Sequence, residues 1–62
     1  MKKWIIGVSS VIREEEISKI EITFDGGFYQ ATAYAQNDIY LALLVIDSDK
    51  DLFLERLNKT LN

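Results

Sequence analysis

The 62-residue chain has no cysteine, no histidine and no proline, and only three glycines. Without cysteine there is neither a disulfide nor a thiolate metal site, so the usual staples of a small domain are missing. Without histidine or cysteine the familiar nucleophile and base pairs of covalent catalysis cannot be assembled. The lack of proline and of any Gly/Ser-rich stretch leaves no linker, repeat or low-complexity segment, and the chain reads as one continuous unit over residues 1–62. Basic residues are also short. Seven Lys and Arg stand against ten Asp and Glu, giving a net charge of −3 and a pI near 4.7. Such a balance disfavours nucleic acid as a partner and favours a basic protein surface.

What the chain has is apolar content, at 48% hydrophobic residues. A domain of this size buries only about 60% of the surface its unfolded form exposes, so an interface between copies would add useful burial. A homo-oligomer is therefore expected.

Lys2-Lys3 ahead of the mostly apolar run Trp4 to Ile12 has the outline of a charged n-region and a short h-region. No A-x-A-like site follows, and Arg13-Glu14-Glu15-Glu16 comes at once, so the run reads as a first strand in a cytoplasmic protein. It is too short for a membrane span, which takes about 20 apolar residues, and no membrane association is expected. Trp4 to Arg13 carries Ile5, Ile6, Val8, Val11 and Ile12, a β-branched strand with Gly7 as a bulge or point of close approach. Glu14 to Glu16 forms a solvated turn.

From Ile17 the pattern alternates, with Ser18, Ile20, Ile22 and Phe24 on one side and Lys19, Glu21, Thr23 and Asp25 on the other. Asp25-Gly26-Gly27 supplies the positive φ that a tight hairpin needs. Phe28 to Ala35 returns with Tyr29, Ala31, Ala33 and Ala35 on one face and Phe28, Gln30, Thr32 and Tyr34 on the other. The small alanines suit a helix lying close to the sheet.

Ile39 to Ile46 is an eight-residue apolar run that fits two structures. As a strand it would follow a turn at Asn37-Asp38. As a helix it would be capped by Asn37 or Asp38, with Ile39, Ala42, Leu43 and Ile46 on one face. Its leucine- and alanine-rich centre favours the helix. Asp49 to Leu61 is helical, with Phe53, Leu54, Leu57 and Leu61 at helical spacing, Ser48 or Asp49 as cap and Lys59 in the last turn. The two segments could form one long helix.

The fold expected is α+β. A three-stranded antiparallel meander (4–13, 17–25, 28–36) is followed by a C-terminal helix, or two helical segments (38–47 and 49–61), packed on one sheet face. The alternative is four strands plus one C-terminal helix.

Chemistry-bearing motifs are few. Ser9 and Ser10 sit in an apolar strand with no histidine in the chain to activate them. Asp47, Asp49 and Asp51 open with calcium-loop spacing, but Leu52 stands where glycine is required and Asn58 where glutamate is required. A capping turn is the better account. Neither a metal nor a cofactor nor a catalytic residue is assigned. Binding is expected at Phe28, Tyr29, Tyr34 and Tyr40, with Glu14, Glu15 and Glu16 as an acidic docking patch. Self-association is expected at Ile39, Leu41, Leu44, Val45 and Phe53, because the over-apolar segment has little to cover it. The expectation is a non-enzymatic accessory protein of phage or mobile-element type that oligomerises and inhibits or modulates a larger host protein. Alternatives are an oligomer that sequesters a small molecule such as a signal nucleotide, and a structural self-assembly unit.

Overall fold

A computed structural model describes residues 3–62. Lys2, half of the N-terminal charge pair, lies outside the described residues. The elements run β1 (Trp4–Ile6), β2 (Val11–Arg13), a 3-10 turn (Glu14–Glu16), β3 (Lys19–Asp25), β4 (Phe28–Ala35), a second 3-10 turn (Gln36–Asp38), β5 (Ile39–Asp47) and α1 (Lys50–Leu61). The fold is α+β: a β3-β4-β5 antiparallel sheet, a β1-β2 ribbon and one C-terminal helix.

The β3-β4 hairpin forms where its turn chemistry requires it. Gly26 and Gly27 hold φ at 58° and 82°, the pair of positive values that a two-residue hairpin turn needs to match the strand twist. Asp25 faces Phe28 across it. Asn37 and Asp38 also adopt positive φ, 63° and 58°, and their short polar side chains tolerate that conformation as the chain turns from β4 into β5.

Two expectations are corrected. First, Ile39 to Ile46 is a strand, not a helix, and no helix runs through Asp47-Ser48-Asp49. The cause is a pair of bulges. Ala31 faces Val45 while Thr32 faces Leu43, leaving Leu44 extra, and Ala33 faces Ala42 while Tyr34 faces Tyr40, leaving Leu41 extra. At a bulge two consecutive residues oppose one, so strict alternation is lost. Leu44 and Val45 are both buried, and Leu41 packs on the core beside buried Ala42. Core positions at 41, 42, 44 and 45 therefore recur at three- and four-residue intervals, which imitates a helix face. The fourth-strand alternative is the one that forms.

Second, residues 4–13 are not a single strand of the meander. Gly7 to Ser10 bend back, closed by the Gly7 N–H donating to the Ser10 carbonyl at 2.8 Å, and the ribbon lies along the far edge of β5, where the Val8 N–H donates to the Leu43 carbonyl at 2.9 Å. Gly7 is a point of close approach. A Cβ there would stand 2.7 Å from the Leu43 oxygen.

Helix α1 begins at Asp49, whose carboxylate accepts from the Leu52 N–H at 3.0 Å, satisfying one of the first-turn donors. Asp47 prepares the same turn by accepting from the Asp49 N–H at 2.9 Å and pairs with Arg56 at 3.0 Å. Phe53 and Leu57 point from the helix into the core, joining Ile5, Ala31, Ala33, Ala42, Leu44 and Val45. Ala31 and Ala33 are fully buried. Their small side chains let the helix close on β4 and β5.

Candidate functional site

The β1-β2 ribbon has two unlike faces. Ile5 and Ile12 oppose each other, and Ile5 is fully buried while Ile12 packs on the core. The other face pairs Trp4 with Arg13 and Ile6 with Val11. Trp4, Ile6 and Val11 are 58%, 70% and 55% exposed. Period-two alternation on a three-residue strand forces this: once Ile5 turns inward, Trp4 and Ile6 must turn outward.

A groove runs between this face and the end of α1, lined by Lys3, Trp4, Ile6, Lys59, Thr60 and Asn62. Its cations are placed by the fold. Lys3 donates through Nζ to the Leu61 carbonyl, at the negative end of the helix, and lies 3.8 Å from the Glu14 carboxylate. Arg13 sits 5.5 Å from the Trp4 ring centroid, a cation–π contact that holds the indole. The result is an apolar strip rimmed by Lys3, Arg13 and Lys59 on a protein of net charge −3.

The residues expected to bind from sequence fall in other places. Phe28, Tyr34 and Tyr40 do share the sheet face that α1 does not cover, and the Tyr34 and Tyr40 rings meet edge to face at 6.3 Å. Lys19 lies over Tyr34 at 5.3 Å and pairs with Asp38 at 2.6 Å. The Asp38 carboxylate, first by hydrogen bonding and then by its charge, holds the Lys19 pKa above its usual value. Tyr29 is on the opposite face, stacked between Phe24 at 4.6 Å and Phe53 at 5.7 Å. Glu14, Glu15 and Glu16 form an exposed 3-10 turn. Glu15 and Glu16 border an open groove with Ile17, Ser18, Gln36 and Ile39, separate from the ribbon.

The self-association set divides. Leu44, Val45 and Phe53 are in the chain's own core and are withdrawn from any interface, because β4, α1 and the ribbon cover the segment that looked uncovered. Leu41 packs against that core and Ile39 is exposed. Ser9 and Ser10 lie in the ribbon's turn rather than in a strand. The ribbon face itself was missed. Its signal is the apolar character of both faces of Trp4–Arg13, which a single two-sided strand also accounts for.

No family model, curated protein or solved structure matches the chain. Among the described residues no helix is long and apolar enough to cross a membrane.

Proposed function

We propose that this is a non-enzymatic binding protein that seats the Trp4–Ile6–Val11 face in an apolar cleft of a larger protein and thereby inhibits or modulates it. One observation carries the reading: three large apolar side chains share a single face of a two-stranded ribbon, each more than half exposed. Contiguous exposed apolar surface that includes a Trp with an Arg beside it is the composition of a binding hot spot. Of the rim cations, Lys3 and Lys59 stand beside Glu14 and Glu55 of the same chain, so Arg13 is the one that calls for a carboxylate on the partner's cleft. Fully burying such a side chain is worth roughly 1.5–3 kcal/mol, so the exposed halves of these three supply about 2–4 kcal/mol together. The accessory-protein reading, with its phage or mobile-element type, rests on size and on this surface.

The experiment is an affinity capture with Ile6→Glu as the paired control. Ile6 is 70% exposed, so the variant should melt with the wild type, yet it places a charge in the centre of the apolar strip. A target retained by both proteins equally would refute the assignment of this face.

A further inference from the structure

The two edges of the β3-β4-β5 sheet are treated differently. The ribbon lies against the β5 edge, joined to it by the Val8 to Leu43 hydrogen bond. The β3 edge carries seven residues with no proline, no bulge within Lys19–Asp25 and no inward-pointing charge, and so lacks most devices that keep sheet edges apart.

The backbone groups on that edge are identifiable. A two-residue turn closes on a hydrogen-bonded pair, here Asp25 with Phe28, so Asp25, Thr23, Glu21 and Lys19 direct their amides toward β4. Just before the strand the alternation breaks, since the Ser18 N–H also turns to β4 and donates to the Tyr34 carbonyl at 2.7 Å, so the outward amides begin at Ile20. Ile20, Ile22 and Phe24 therefore direct N–H and C=O away from the sheet, and among the described residues no hydrogen bond outside the ladder engages them. Their side chains share the helix-side face: Ile20 packs against the edge of the core, while Ile22 and Phe24 are 52% and 61% exposed.

We infer that β3 pairs antiparallel with β3 of a second copy about a two-fold axis at Ile22, joining two sheets into one of six strands. Charge pattern and free amides together select this register: a centre at Ile20 would also oppose unlike charges, Lys19 against Glu21, but it sets Ile22 opposite Ser18, whose N–H is already held by the Tyr34 carbonyl. Centred on Ile22, Lys19 lies opposite Asp25, Glu21 opposite Thr23, Ile20 opposite Phe24, and Ile22 opposite itself. Shifting the centre to Thr23 sets Glu21 against Asp25, and shifting it to Glu21 sets that carboxylate against its copy, both repulsive. The chosen register engages the free amides of Ile20, Ile22 and Phe24 in about six backbone hydrogen bonds. It also fits the symmetry of a closed dimer, in which one patch meets itself. This dimer goes beyond the binding function proposed above and leaves the ribbon, at the opposite side of the sheet, free for a partner.

The test is sedimentation equilibrium of the full chain with single-cysteine cross-linking. The wild type should be a dimer at tens of micromolar. Ile22→Lys, which sets two like charges on the axis, should raise the dimer Kd at least about tenfold without changing the circular dichroism spectrum. Lys19→Asp should weaken the dimer by opposing Asp25, and adding Asp25→Lys should restore it. In this register two Ile22 Cα atoms are about 5.5 Å apart, within disulfide reach, while two Phe24 sites are separated by about 13 Å along the strands. The protein has no cysteine of its own. Ile22→Cys should thus oxidise to a covalent dimer and Phe24→Cys should not. A monomeric wild type at 100 µM, a dimer unaffected by Ile22→Lys, or equal cross-linking at both sites would each overturn the proposal. So would capture of a foreign strand by β3 in place of the second copy.

Discussion

Replacing Gly7 by alanine tests how the ribbon is fastened to the sheet. The added methyl would lie 2.7 Å from the Leu43 oxygen and 3.2 Å from the Ser10 oxygen. Both are backbone atoms, so no side chain can swing aside and the ribbon must move off β5. Overpacking of this kind costs about 1–3 kcal/mol, and losing the Val8 to Leu43 hydrogen bond of 2.9 Å adds about 1 kcal/mol. Alanine recovers about 0.4–1 kcal/mol by restricting the unfolded chain. The net loss is about 1–3 kcal/mol. For a domain whose total stability is roughly 0.05–0.15 kcal/mol per residue, that is a large fraction, and it should lower Tm by at least about 5 °C. Thermal melts followed by circular dichroism give the global figure, and hydrogen exchange of the Val8 amide gives the local one. A variant melting within about 2 °C of the wild type, with the Val8 amide still protected, would refute the close packing of ribbon on β5.

Gly27→Ala provides the contrast, since nothing lies within 4 Å of its would-be Cβ and only φ, at 82°, opposes the substitution. Its cost should be about 1 kcal/mol, measured by urea denaturation, with Val8 exchange unchanged. Asp47 has a pKa held below its usual value, first by the Asp49 backbone N–H and then by Arg56. A lowered folded-state pKa means a contribution present above the unfolded value and lost as pH falls through the folded one. Asp47→Asn should therefore lower stability at pH 7 and flatten its decline below about pH 4, and an acid titration as steep as the wild type's would contradict this.

The hairpin of β3 and β4 and the C-terminal helix were legible because each rests on local chemistry: Asp25-Gly26-Gly27 for the turn, Asp49 as cap, and Phe53 and Leu57 at helical spacing. What was not legible depends on pairing. The two bulges in β5 exist only against β4, and they rearrange Leu41 to Val45 into a helix-like pattern that no single-strand reading could separate from a helix. Residues 4–13 posed the complementary problem. Their β-branched content was right for strands, but the reversal at Gly7 to Ser10 is set by the fit of Gly7 against Leu43, a contact distant in sequence. From that reversal follows the outward turn of Trp4, Ile6 and Val11, so the candidate site became visible only with the ribbon. Conversely, Leu44 and Val45 of the apolar run are buried within the chain while Ile39 and Tyr40 at its start stay exposed, and among the described residues the β3 edge has no second strand beside it.

The central claim is that the ribbon face is what this protein presents to a partner. Its most direct test is quantitative affinity capture with immobilised wild type, Ile6→Glu and a Glu15→Gln/Glu16→Gln variant, each first shown to melt alike. The account predicts a protein retained stoichiometrically by the wild type and the glutamine variant, and reduced at least about tenfold by Ile6→Glu. Equal retention by the wild type and Ile6→Glu, or loss only with the glutamine variant, would contradict it.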